Sequence, residues 1–161
     1  MKFLKPHEYQ YKAINAFNKL EVVIKSKIPN ARIEHIGSSS IDHAISKGDL
    51  DIFVGVNKID FESSLESLIN LGFKIKADTF RSTELCMLEC FDFDFDVGIQ
   101  LVDLSSKHIN FLKFRDKLKH DSKLLEEYNH LKLSCKDLSP EAYRERKSKF
   151  IHQVLSLDSK E

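Results

Sequence analysis

The residues best suited to chemistry are two aspartates two positions apart, Asp49 and Asp51, at the start of the apolar segment Leu50–Val56. Side chains alternate across a β-strand, so both carboxylates are expected to face one site. Carboxylates held on a rigid strand are hard oxygen ligands suited to Mg²⁺, which takes the rest of its shell from water and substrate phosphates. We therefore predict that Asp49 and Asp51 are catalytic metal ligands for Mg²⁺, with Mn²⁺ as the alternative ion.

A glycine-serine turn, Gly37 to Ser40, precedes this pair of aspartates in the chain. Glycine lets the backbone approach a ligand closely, and hydroxyl and amide groups after it can bind phosphate oxygens. We predict that Gly37, Ser38 and Ser39 bind phosphate. Lys47 is close to the aspartates in sequence and could contact the phosphates or screen the acidic pair.

Each of these two motifs is weak evidence by itself. An isolated Asp-x-Asp at a strand edge is usually a solvated surface, and a Gly-Ser-Ser-Ser run is usually only a turn. Their order is more informative, because a strand, a Gly-Ser turn, a short helical segment and an Asp-x-Asp strand follow one another. A metal on one side and an amide cradle on the other describe a phosphoryl or nucleotidyl transfer site.

The elements that must position these residues follow from the hydrophobic periodicity. A strand–helix alternation in the front half gives way to a helical back half after Lys107, so the sequence predicts an α+β fold in one domain, 1–161. Predicted strands cover 31–36, 50–56, 73–76, 84–91 and 94–102. Predicted helices cover 6–28, a segment capped by Asp60 and ended by Gly72, and then 108–118, 123–133 and 140–155.

Composition excludes several classes of protein. Basic and acidic side chains balance at 25 each, so no global charge draws the chain to nucleic acid or membrane. The N-terminus lacks the apolar run of a signal peptide, and no apolar stretch is long enough to span a bilayer. We therefore expect a cytoplasmic protein. The three cysteines, Cys86, Cys90 and Cys135, are expected to be free, buried thiols.

Six segments carry a family resemblance: EHIGSSS, KGDLDIFV, VGIQLV, FLKFRDKL, YNHLK and YRERKSKFI. In this order they resemble the GrpB family, within the nucleotidyltransferase superfamily of polymerase-beta-like fold. The resemblance covers 33–155 and implies a nucleotidyltransferase-like mixed sheet flanked by helices. It further implies that Gly37 and Ser38 form the phosphate-binding turn, and that Asp49 and Asp51 bind the metal of an enzyme that transfers a nucleoside monophosphate from a nucleoside triphosphate.

The third acidic position of the superfamily is where this sequence departs. The resemblance places Gln100 where active members carry a carboxylate that helps to deprotonate the acceptor. An amide cannot act as a general base, although it can orient a hydroxyl. Asp94 and Asp96 precede it in the predicted strand, and either could substitute. The competing interpretation of these aspartates is an exposed strand face, and a chain without acceptor activation would be a non-catalytic nucleotide-binding or regulatory module.

Basic residues of the helical half complete the predicted site. Arg115, Lys132 and Lys147 match basic positions of the family, and Arg115 and Lys132 are predicted to bind the triphosphate. For each the alternative is a surface cation or an intramolecular ion pair. His35 could line the pocket, but a hydrogen-bonded histidine within the sheet is favoured. The acceptor is unknown, and the neutral charge argues against nucleic acid unless the lysine-rich helices form a local basic groove.

Overall fold

A five-stranded mixed sheet forms the centre of the computed structural model, which describes residues 1–157. The spatial order is β1-β2-β5-β4-β3, in which β2 and β5 run parallel and the other neighbours are antiparallel. The strands are β1 (Arg32–Ile36), β2 (Leu50–Val56), β3 (Lys74–Ile75), β4 (Leu85–Cys90) and β5 (Val97–Asp103). Together with the helices, this sheet confirms the predicted α+β class.

Five α-helices accompany the sheet, and local signals explain several of their ends. Proline stands at the start of the first and last helices, where its missing N–H costs nothing. The Asp121 carboxylate and the Ser139 hydroxyl accept hydrogen bonds from first-turn amides, whereas the predicted cap Asp60 makes no such bond. The helices are α1 (Pro6–Lys27), α2 (Phe61–Asn70), α3 (Asn110–His120), α4 (Ser122–Ser134) and α5 (Pro140–Ser156).

The two faces of the sheet have different partners. On one face, alternate residues of β2 such as Ile52 and Val54 pack with apolar side chains of α1 and α2 in the main core. On the other face, Phe53 packs with Val102 of β5 and Leu112 of α3. Because side chains alternate along β2, Asp51 shares the second face with Phe53. The helical half therefore lies on the side of the sheet that carries the candidate site.

The predicted strand 94–102 begins later than expected, at Val97. Residues 91–96 form an irregular connection between β4 and β5, which are antiparallel neighbours and need a turn between them. The Phe-Asp alternation here has no buried strand face, since Phe91 and Phe93 are exposed and only Phe95 of the three packs on the main core. Asp94 and Asp96 thus lie in a loop.

Two further expectations can be compared with this structure. The three cysteines are free and buried, as predicted. Across residues 1–157, no helix combines the length and the apolarity needed to cross a membrane.

Candidate functional site

The Asp51 carboxylate lies between two glycines. A Cβ atom added at Gly37 would stand 2.5 Å from Oδ2 of Asp51, and one added at Gly98 would stand 3.1 Å from Oδ1. The β2–β5 register pairs Asp51 directly with Gly98. The two glycines therefore leave space for the carboxylate. The side chain of any larger residue at either position would occupy that space. Gly98 was not predicted as a site residue, although its place in the VGIQLV segment offered a signal.

Asp49 lies one residue before β2 and is held by a local hydrogen-bond chain. Its Oδ1 accepts from the Ser46 hydroxyl at 3.2 Å, and the Ser46 oxygen accepts from the Gly48 N–H at 3.0 Å. Burial, followed by the charge of Asp49, raises the pKa of Asp51 to about 6, against the opposing effect of nearby lysines. The structure thus brings the two predicted aspartates together in one electrostatic unit.

This pair fits a divalent cation. Two carboxylates whose mutual charge disfavours ionisation gain stability from a cation, and oxygen donors suit Mg²⁺. Within residues 1–157, however, no group of three or more His, Cys, Asp or Glu side chains is arranged to hold a metal. Asp49 and Asp51 would therefore hold the ion together with water or substrate oxygens.

The three serines after Gly37 have different roles in this structure. Gly37 has φ of +73°, and Ser38 to Ser40 form one 3-10 turn. The hydroxyl of Ser39, which was predicted to bind phosphate, is instead buried and lies 2.7 Å from Nε2 of His35. The Ser40 hydroxyl donates to the Gly37 carbonyl. Ser38 is the serine whose hydroxyl contacts a cationic group of the site.

That cationic group is Lys132 of α4, whose side chain is 2% exposed. Its Nζ donates to the Ser38 hydroxyl and to the Ile45 carbonyl, and it lies 4.0 Å from the ring centre of Tyr128. Burial, and then the charge of Lys147, lower the pKa of Lys132 to about 7. When Lys132 is protonated and donates to Ser38, the serine proton is directed elsewhere and can be donated to an anion. Lys132 is therefore placed to orient the Ser38 hydroxyl.

A second lysine and two tyrosines join this group. The pKa of Lys147 is raised by Tyr128 and Tyr143, and further by Asp51 and Asp49. Burial raises the pKa of Tyr143 to about 12. Neither tyrosine was among the predicted site residues. A signal was present, because Tyr128 and Lys132 on α4, like Tyr143 and Lys147 on α5, are four residues apart and share a helix face.

Lys47 lies at the edge of the same group. Its side chain is exposed, and its Nζ is 5.6 Å from the ring centre of Tyr143. It is one of the charges that lower the pKa of Asp51, which agrees with the predicted screening of the acidic pair.

Arg115, in contrast, is engaged in an intramolecular ion pair. Its guanidinium donates to Glu34 at 2.9 Å, to Asp116 at 2.9 Å and to the carbonyl of His35 at 3.1 Å. The arginine is 9% exposed. The structure therefore favours the ion-pair alternative over the predicted contact with a triphosphate, because these donors tie α3 to β1.

The two candidates for the third acidic position differ in place. The register pairs Leu50 with Val97, and the Leu50 N–H donates to the Asp96 carbonyl, so Asp96 lies beside Asp49. Gln100 instead pairs with Phe53, one repeat of about 7 Å farther along the strand than Gly98. Among the described residues its buried Oε1 has no hydrogen-bond partner. Asp96 is therefore nearer to Asp49 along the sheet than Gln100 is, and the role of either residue at the third acidic position stays a prediction.

A cavity of about 320 Å³ opens on the side of Asp49 and Asp96. The start of α1, the turn before β2 and the loop before β5 form its wall. The lining residues are Leu4, Glu8, Tyr9, Lys12, Lys47, Gly48, Asp49, Asp94, Phe95 and Asp96. Tyr9 and Lys12 were missed because α1 shows no motif.

His35 lies on the buried side of the Gly-Ser turn, where it is hydrogen-bonded to Ser39, as the favoured interpretation predicted. Its ring also stacks on Phe17, with 5.0 Å between the ring centres. Burial lowers the pKa of His35 to about 4, with help from the charges of Lys119 and Arg115. Between about pH 6.5 and 4, His35 is therefore protonated in the unfolded chain but stays neutral in the folded chain.

We expect His35 to lower the free energy of unfolding by on the order of 2–3 kcal/mol as pH drops through this window, whereas protonation of Asp51, whose pKa is raised to about 6, acts in the opposite direction. Urea unfolding of wild type and His35→Gln at several pH values checks this. Relative to wild type, the glutamine variant should gain on the order of 2–3 kcal/mol in the free energy of unfolding between about pH 6.5 and 4. A difference between the two proteins that does not change across this window would contradict the assignment.

Comparisons with known proteins agree with this architecture. The chain is 48% identical over 155 residues to a UPF0157 protein of Vibrio cholerae, covering 96% of this chain and 82% of that one. The crystal structure of the conserved protein GrpB from Enterococcus faecalis matches with a TM-score of 0.66 at 17% identity, covering 96% and 99% of the two chains.

Part of a nucleotidyltransferase has a similar fold. The Cid1 poly(U) polymerase in its MgGTP-bound crystal structure matches with a TM-score of 0.53 at 21% identity, and the match covers 79% of this chain and 42% of that one. The family model described as GrpB protein matches residues 3–157. The chain therefore belongs to the GrpB family, and its fold is that of the nucleotidyltransferases.

Proposed function

We propose that this protein is an Mg²⁺-dependent nucleotidyltransferase that transfers a nucleoside monophosphate from a nucleoside triphosphate to an acceptor hydroxyl or phosphate. The observation that carries the proposal is the Asp49–Asp51 pair, in which Asp51 lies against Gly37 of the Gly-Ser turn and Asp49 lies beside Asp96. A polyphosphate needs hydrogen-bond donors, which the Gly-Ser turn offers, and a cation needs carboxylates, which the two aspartates offer.

Each residue has a defined task in this proposal. Asp49 and Asp51 hold the metal, which would neutralise the triphosphate as charge moves to the pyrophosphate leaving group. Ser38 donates its hydroxyl proton to a phosphate oxygen, oriented by Lys132. Asp96 lies next to Asp49 and accepts the proton of the acceptor hydroxyl. The cavity lined by Asp49 and Asp96 supplies the space in which an acceptor would bind.

The decisive experiment uses purified protein, each of the four common ribonucleoside triphosphates and Mg²⁺, and follows release of pyrophosphate with a panel of hydroxyl acceptors. Asp96→Asn is the informative variant. Nucleotide binding should persist, since Asp96 is not needed for it, while turnover falls by about 10²- to 10⁴-fold. Equal turnover of Asp96→Asn and wild type would exclude Asp96 as the base.

A second candidate is a non-catalytic nucleotide-binding module. It is favoured by the lack, within the described part of the chain, of a group of three acidic or other ligands arranged for a metal. The module predicts binding of a nucleotide in calorimetry, with no pyrophosphate released for any acceptor. The enzyme predicts both binding and turnover.

Lys147 provides a separate prediction for nucleotide binding. Its ammonium group is the cation that interacts with both tyrosines and both aspartates, so it is placed to compensate the negative charge of a triphosphate. We expect Lys147→Met to weaken binding of MgATP or the preferred nucleotide by about tenfold or more in calorimetry.

Lys149→Met is the matched control, because Lys149 lies on the same helix, is exposed and pairs with Glu145 at 3.7 Å. It should bind like wild type. Equal losses in the two variants would indicate a general electrostatic effect, and no loss in Lys147→Met would remove this lysine from the site.

A further inference from the structure

The loop of residues 41–48 joins the Gly-Ser turn to Asp49, and Asn129 of helix α4 makes two hydrogen bonds to its backbone. Nδ2 of Asn129 donates to the His43 carbonyl at 2.9 Å, and Oδ1 of Asn129 accepts from the Ile45 N–H at 3.0 Å. Both halves of a single amide are thus committed to one short stretch of backbone. This arrangement fixes the loop in position and in direction, because donor and acceptor cannot be exchanged without losing both bonds.

The backbone that Asn129 holds is strained. His43 has φ of +68°, in the left-handed region that residues with a Cβ atom rarely adopt. Such a conformation persists where surrounding contacts over-determine it, and it is often found near functional sites. The hydrogen bond to the His43 carbonyl is one of those contacts.

Movement of this segment would disturb hydrogen bonds at both ends of the candidate site. The Ile45 carbonyl accepts from Lys132, which also donates to Ser38. The next residue, Ser46, pairs with Leu4 through two backbone hydrogen bonds, and its hydroxyl donates to Asp49. One stretch of backbone therefore links the group that orients Ser38 with the group that holds Asp49.

We infer that Asn129 is a positioning residue of the site, which sets the separation of Ser38 from Asp49 by clamping residues 43–45 to α4. It touches no reacting group itself. Its effect on ligand binding depends on the proposed function, whereas its effect on the loop does not.

Two readouts on Asn129→Ala test this inference. Amide hydrogen exchange should become about tenfold faster at Ile45 and its loop neighbours, with little change in the sheet core, because two hydrogen bonds are lost. Binding of Mn²⁺, followed by electron paramagnetic resonance with inorganic tripolyphosphate present, should weaken by about tenfold.

Two further variants make the test specific. Asn129→Asp keeps the side-chain size and the acceptor for Ile45, but places a carboxylate against the His43 carbonyl. A positioning role predicts weaker Mn²⁺ binding in this variant, whereas a packing role predicts wild-type binding. Ser106→Ala is the matched control, since it removes a buried hydroxyl that caps the turn before α3, and it should leave both exchange in the 41–48 loop and Mn²⁺ binding unchanged.

Unchanged exchange in the 41–48 loop of Asn129→Ala would overturn the inference. Failure of the wild-type protein to bind Mn²⁺ would instead count against the proposed function, and the exchange data alone would then decide the role of Asn129.

Discussion

Replacing Asp51 with asparagine is expected to abolish metal-dependent transfer and, at the same time, to stabilise the fold. The carboxylate is confined between two glycines and next to Asp49, so its charge is disfavoured, and its pKa is raised to about 6. An asparagine of the same shape removes that charge. At pH 8 we expect a gain in the free energy of unfolding on the order of 2 kcal/mol. Loss of a metal ligand should reduce turnover by about a thousandfold or more.

The gain in stability and the loss of turnover have opposite signs, so unfolding of the variant cannot account for the loss of turnover. Urea unfolding gives the stability, and pyrophosphate release with Mg²⁺ gives the turnover. Asp42→Asn is a suitable control, because Asp42 is an exposed aspartate of the same connection between β1 and β2, and it should change neither quantity. A destabilised Asp51→Asn protein that retains Mg²⁺-dependent turnover would contradict both the electrostatics and the metal assignment.

Replacing Gly37 with alanine should have the largest effect on stability. The new Cβ would stand 2.5 Å from the Asp51 carboxylate, and φ of +73° is strained for alanine even without that contact. The two penalties together are expected to lower the free energy of unfolding by about 2–4 kcal/mol. Since the collision is with a proposed metal ligand, Mn²⁺ binding should be lost as well.

Gly72→Ala separates the two penalties. Gly72 has φ of +107°, but an added Cβ there would meet nothing within 4 Å. This control should lose only about 1–2 kcal/mol, from the backbone term, and should bind Mn²⁺ like wild type. Urea unfolding and a Mn²⁺ titration measure both quantities. Equal losses in the two variants would show that Gly37 is required for its backbone angle and not for its closeness to Asp51.

Short-range patterns predicted most of the elements. Strand β2 was predicted with the boundaries it has, because its apolar run ends at clear turn residues, and α5 begins at its Ser139-Pro140 signal. The strand expected over 94–102 was too long, since the period of Phe and Asp alternation cannot show which side of a loop is buried. Tertiary packing determines which side of the loop is buried.

The candidate site could likewise be predicted only in part. Gly37, Ser38, Asp49 and Asp51 are close in sequence, so a motif could find them, and the structure places them together. The contact of Lys132 with Ser38 spans 94 positions, and no local pattern could give its partner. The burial of Ser39 against His35 likewise depends on which way the turn enters the core.

This long separation between Ser38 and Lys132 has a kinetic consequence. Contacts between distant parts of a chain require closure of long loops and tend to form late. During synthesis, the sheet residues leave the ribosome before α4 and α5 exist, so a nascent chain lacks the lysines and tyrosines that complete the site. The proposed polyphosphate site is therefore complete only when the last quarter of the polypeptide, from α4 onward, has been made and has docked.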